Sequence, residues 1–109
     1  MSDYQVDGTV REKVCDSDSP ITHLKTASPD NKIYSSAWVI SRIKSGDKFW
    51  SYVYRGRQVV TYTRVEVEVI NDARRGEYLR TRGDRFDENN LLELPTYYLG
   101  NDNYYHPCP

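Results

Sequence analysis

The stretch Lys48-Phe49-Trp50-Ser51-Tyr52-Val53-Tyr54-Arg55-Gly56-Arg57-Gln58-Val59-Val60-Thr61-Tyr62-Thr63-Arg64-Val65-Glu66-Val67-Glu68-Val69-Ile70 decides the fold. Aromatic and β-branched residues dominate it, and these fit a pleated, half-buried surface. Gly56 can adopt the positive φ that a tight hairpin turn requires. The segment therefore predicts two antiparallel strands, Lys48 to Tyr54 and Arg57 to Ile70. With an even number of connecting residues, Trp50, Tyr52 and Tyr54 share a face with Val59, Thr61, Thr63, Val65, Val67 and Val69, and this is the expected core face. Phe49, Ser51, Val53, Val60, Tyr62, Arg64, Glu66 and Glu68 then form the outer face, and an odd connection would reverse one strand.

Downstream, the turn formers Asn71 to Gly76 lead into Glu77-Tyr78-Leu79-Arg80-Thr81, a third strand that completes a meander. Asp87 is placed to cap one helical turn through Asn90, with Leu91, Leu92 and Leu94 plugging the sheet edge before Pro95. Upstream, Val39, Ile40 and Ile43 recur at helical spacing, with Ser35 or Ser36 as N-cap and Gly46 at the end, which predicts a helix over 36–45. Two earlier strands are expected, one in the alternating run Gly8 to Cys15 and one at Ile21 to Thr26, between Ser/Pro/Asp-rich turns. The expected fold is α+β: a small, mostly antiparallel sheet of about five strands, in the order strand, strand, helix, strand, strand, strand, packed on one short helix. Residues 1–95 form this single domain, and residues 96–109 form a Tyr-rich acidic tail laid over an edge or an end.

The chain has 15 basic and 16 acidic residues, which removes the simplest case for wholesale binding to nucleic acid or a membrane surface. The balance is uneven along the chain: residues 1–30 carry 3 basic and 6 acidic side chains, residues 31–85 carry 12 and 6, and residues 86–109 carry 4 acidic and no basic ones. The first residues show neither a basic start nor an apolar run, so a cytoplasmic location is expected. Cys15 and Cys108 sit near opposite ends, a spacing that suits no compact metal site and suits a disulfide only in a secreted protein. The preferred reading is a pair of free thiols, with Cys108 in a frayed, proline-flanked terminus.

The segments Tyr78-Leu79-Arg80-Thr81 and Asn89-Asn90-Leu91, followed by Leu94-Pro95, resemble a family of short bacterial, archaeal and phage proteins of unknown function. The resemblance spans roughly residues 8 to 95, and this chain departs from it at Asn89, where the family pattern has Asp. It implies the fold above and a bacterial or phage origin, and it carries no mechanism.

Catalytic templates are missing: there is no phosphate-binding Gly loop, HExxH, CxxC or GxSxG, and only His23 and His106 could act as neutral-pH bases. Asp84, Asp87, Glu88 and Asn89 lack the alternation and Gly of a calcium loop, and His23 reads as a structural residue in an apolar strand, so no metal or cofactor is expected. The favoured function is a non-catalytic protein-binding module, possible as an inhibitor of a host enzyme or defence complex. Its candidate anchors are Trp38 and Arg42, one helical turn apart, with Tyr97, Tyr98 and Tyr104 of the tail. A tail or loop covering Trp38, or Arg42 stacked on it, is the plainer account of that pair. The alternative is a binder of a small anionic ligand, a nucleotide or a single-stranded nucleic acid through Arg80, Arg82, Arg85, Asn89 and Asn90 with neighbouring tyrosines, because guanidinium forks and carboxamides suit phosphate, carboxylate and base edges. Against it stands pairing of Arg80 with Glu66 or Glu68 on the adjacent strand. No membrane partner is expected, and the oligomeric state stays open.

Overall fold

The computed structural model describes residues 2–74, 76–81 and 90–109. The decisive hairpin forms as strands β4 (Lys48–Arg55) and β5 (Gln58–Asp72), with Arg55 paired to Gln58 across Gly56 and Arg57. Both turn residues have positive φ, 56° and 71°, the conformation that matches the right-handed twist of paired strands. Because the connection is even, Tyr54 faces Val59 and is buried, as expected.

The rest of β4 corrects the expected core face. Register irregularities between Tyr52 and Val53 and between Val53 and Tyr54 break the alternation. Phe49 and Ser51 are fully buried, while Trp50 and Tyr52 pair with Glu66 and Arg64, Tyr52 staying half-buried with part of its ring against the core. On β5 itself Val67 is buried and Val59 and Val69 pack on the core, whereas Thr61 and Thr63 are exposed.

Strand β6 (Gly76–Thr81) continues the meander against β5, from Val67 opposite Thr81 to Asp72 opposite Gly76. Strands β1 (Asp3–Arg11) and β2 (Ile21–Ser28) pair antiparallel, and β3 (Ile33–Ser35), too short to be seen in the sequence pattern, adds an edge. Helix α1 (Ser36–Lys44) starts where Ser35 Oγ accepts the Trp38 backbone N–H at 3.1 Å. A 3-10 turn, Asn90–Glu93, buries Leu91 and Leu94 and leaves Leu92 exposed. The expected cap at Asp87 lies outside the described residues.

The tail does not fray. It forms β7 (Thr96–Leu99) and β8 (Tyr105–Pro107), and Cys108 is joined to Cys15 by a disulfide with Cα atoms 5.7 Å apart, so the free-thiol expectation is overturned. The sheet orders β3-β2-β1-β4-β5-β6, with β7 beside β1 and β8 beside β7, eight strands among the described residues in place of about five. One edge of β1 serves two parallel neighbours, β4 at Asp3–Gln5 and β7 at Thr9–Val10. The remaining pairings are antiparallel, and the fold is α+β. The core runs through Val6, Leu24, Val39, Phe49, Tyr54, Val67, Leu79, Leu91 and Leu94. Among the described residues, no helix is long and apolar enough to cross a membrane.

Candidate functional site

Trp38 is held within an aromatic group. Its ring stacks on Tyr34 of β3 at 4.1 Å between centroids and meets Tyr4 and Phe49 edge-on at 6.0 and 6.3 Å. The unforeseen β3 is what supplies this cover. Arg42 does share the indole's surroundings, with its guanidinium 5.8 Å from the ring, but it also binds Asp47. The Ser2 backbone N–H, and then Arg42, hold the Asp47 carboxyl below its ordinary range.

The tail tyrosines occupy the β7–β8 hairpin, away from that aromatic group. Tyr97 is half-buried beneath Lys25 Nζ, 5.3 Å from the ring centroid. Tyr98 lies against His106 at 5.6 Å, and Tyr104 is 71% exposed. His106 Nε2 is 3.0 Å from both Asp102 carboxylate oxygens, and this contact, with the Tyr104 N–H, lowers the Asp102 pKa from its ordinary value. His23 Nδ1 engages the Thr22 hydroxyl at 2.9 Å. Among the described residues no group of three His, Cys, Asp or Glu side chains is arranged to hold a metal ion.

Arg80 stands opposite Glu68 in the β5–β6 register, and its Nε donates to the Thr81 carbonyl at 3.3 Å. Arg82, Arg85 and Asn89 lie outside the described residues, as does the side chain of Asn90.

A site that sequence reasoning split between two faces appears on the outer side of the hairpin. Arg64 lies 4.0 Å over the Trp50 ring, Tyr52 meets Trp50 edge-on at 5.1 Å, and Tyr62 meets Tyr52 edge-on at 5.1 Å. Tyr62 is 77% exposed and the neighbouring Val60 55%. Cross-strand register explains the grouping, since Tyr52 opposes Arg64 and Trp50 opposes Glu66. The even-numbered aromatic and Arg positions on both strands carried the signal, but the alternation break in β4 hid it.

A concavity of about 1070 Å³ lies between β1, the residues preceding β2, α1 and β6, with Arg11, Ser17, Ile21, Ser36, Ile40 and Arg80 among its lining residues. Arg11, expected on a half-exposed strand, is buried here, with its guanidinium held by Thr9 Oγ1 and by the Ser19 carbonyl of the residues preceding β2. Burial pulls the Arg11 pKa down, while the charges of Asp16 and Asp18 act in the opposite sense.

Compared with known proteins, the chain matches the model of the family described as "Protein of unknown function (DUF3892)" over residues 9–95. No curated protein and no solved structure matches it.

Proposed function

The chain belongs to the DUF3892 family, and we propose that it serves as a non-catalytic protein-binding module whose contact face is the outer side of the β4–β5 hairpin. The observation that carries this reading is the ordered Trp50–Tyr52–Tyr62–Arg64 cluster, open to solvent at Tyr62. Trp, Tyr and Arg are the residues most often found as interface hot spots. Edge-on ring packing fixes these side chains before a partner arrives, which lowers the entropy lost on binding. A guanidinium stacked on a ring keeps in-plane donors for a carboxylate. The partner chemistry that fits is thus a protein surface presenting an apolar side chain beside Tyr62 and an acidic group toward Arg64.

Exposed aromatic pairs also stabilise a sheet by cross-strand contact alone, and that contribution is present whether or not a partner binds. Nucleic acid fits this face less well, because Glu66 opposes Trp50 and Glu68 lies two residues beyond, where a phosphate backbone would meet negative charge. In its narrower form the reading is inhibition of a host enzyme or defence complex by a small bacterial or phage protein. The Cys15–Cys108 disulfide weighs toward an oxidising compartment over the cytoplasm.

A tagged pull-down compares the native chain with Tyr62→Ser, an exposed change that leaves folding nearly untouched. The expected result is a stoichiometric protein retained by the native chain and lost from the variant. Equal recovery by both, or no stoichiometric protein with either, rejects the hairpin face as the contact.

A further inference from the structure

The disulfide joins two segments that depend on it to different degrees. Cys15 and Cys108 are both half-buried, so neither sulfur is enclosed by the core. On the first side, residues 12–20 close on themselves. The Glu12 N–H donates to the Pro20 carbonyl at 2.9 Å, the Lys13 N–H to Ser19 Oγ at 3.1 Å and the Asp16 N–H to the Lys13 carbonyl at 3.1 Å. Arg11 Nη1 ties the Ser19 carbonyl to β1 at 2.9 Å. Within this turn Cys15 has a φ of 56°, a left-handed conformation that residues with a Cβ seldom adopt.

The tail on the other side rests on less. Strand β7 pairs with β1 at two positions, Thr9 opposite Thr96 and Val10 opposite Tyr97, and the Thr9 N–H donates to the Pro95 carbonyl at 2.9 Å. The Tyr97 ring lies over Gly8 and under Lys25 Nζ. Against these contacts stands Thr96 Oγ1, buried with no hydrogen-bond partner among the described residues, a cost that docking incurs and release removes. The far end is fastened beside the disulfide, where the Cys108 N–H donates to the Thr96 carbonyl at 2.8 Å and the Pro109 carbonyl accepts Arg57 Nη1 at 2.9 Å. Segments with few stabilising contacts are the first to open.

We propose that the Cys15–Cys108 bond is a redox latch. Closed, it keeps β7 and β8 on β1; reduced by a dithiol, it lets the tail leave a body that stays folded, baring the β1 edge at Thr9 and Val10. A thiolate of the dithiol attacks one sulfur and expels the other cysteine as its thiolate. The second thiol then attacks the mixed disulfide, so two electrons and the two thiol protons pass to the cysteines and the dithiol ends as a cyclic disulfide. The latch stands or falls independently of the hairpin face.

Amide hydrogen exchange followed by NMR tests it on the native chain when oxidised, then in excess dithiothreitol without denaturant, then reoxidised. Reduction is expected to remove protection at Thr9, Cys108 and the β7 and β8 amides, to leave it at Phe49, Val67 and Leu79, and to be reversed by reoxidation. The double variant Cys15→Ser, Cys108→Ser should show the open pattern and no response to dithiothreitol. A bond that resists dithiothreitol in the native state, a tail still protected once reduced or in the double variant, or loss of protection throughout the molecule overturns the proposal.

Discussion

At Gly8 the close approach of one ring leaves no room for a further carbon. A Cβ placed there would lie 2.5 Å from Cε2 and 2.9 Å from Cδ2 of Tyr97, and 3.3 Å from Lys25 Cβ. Gly8→Ala must therefore displace the Tyr97 ring, and overpacking of this kind should lower stability by about 1–3 kcal/mol in a urea melt. Tyr97→Ala introduced with it should recover part of the loss, because the two residues are in contact. Asp47 sets a different dependence. Its folded pKa lies below the ordinary 3.8, so its contribution is fully present above that value and is lost as pH falls through the folded value. Asp47→Asn is expected to lower the melting temperature at neutral pH and to flatten its fall in acid, which thermal melts from pH 7 to 2 would check. Single residues were legible unevenly. The pairing of Trp38 with Arg42 followed from helical spacing, whereas the cover expected from the tail or a loop comes from Tyr34, Tyr4 and Phe49 on three strands. The burial of Arg11 was hidden, because the Ser19 carbonyl its guanidinium meets is brought to β1 by folding and leaves no periodic mark in the sequence.

Elements with strong local patterning were readable, and those defined by distant contacts were not. The helix, the β4–β5 turn and the β5–β6 meander matched their periodicity and turn chemistry. Strand β3 has three residues, and β7, besides its hairpin with β8, is fixed by parallel pairing with β1, a long-range contact that leaves no short-range signature. The irregularity in β4 had the largest effect on the site. It moved Trp50 and Tyr52 beside Arg64 and Tyr62, where strict alternation had placed them on opposite faces. The tail strands are further anchored by the disulfide, which spans 93 residues of sequence. In the chain-entropy picture, closing a loop of that size contributes about 4–5 kcal/mol. Cys108→Ser should therefore lower the denaturation midpoint substantially and reduce amide protection in β7 and β8 more than in β4 and β5. Uniform protection across the four strands after the substitution would show that β1 pairing alone holds the tail.

Across the whole molecule, the acidic ends and basic middle of the sequence do not simply neutralise one another. Asp102 of the tail turns to His106 within its own hairpin, and Arg57 reaches the Pro109 carbonyl at 2.9 Å. The tail lies along β1 and leaves Val60, Tyr62 and Arg64 exposed. The molecule thus offers two separate surfaces: the aromatic and arginine face of the hairpin, proposed above as a protein-contact face, and the groove lined by Arg11. The first carries the functional reading, and hydrogen–deuterium exchange on the chain with its co-purified partner tests it most directly. New protection confined to Trp50–Tyr52 and Val59–Arg64 is the predicted result. Protection that spares the β4–β5 hairpin and falls instead on α1 or the β7–β8 tail would contradict it.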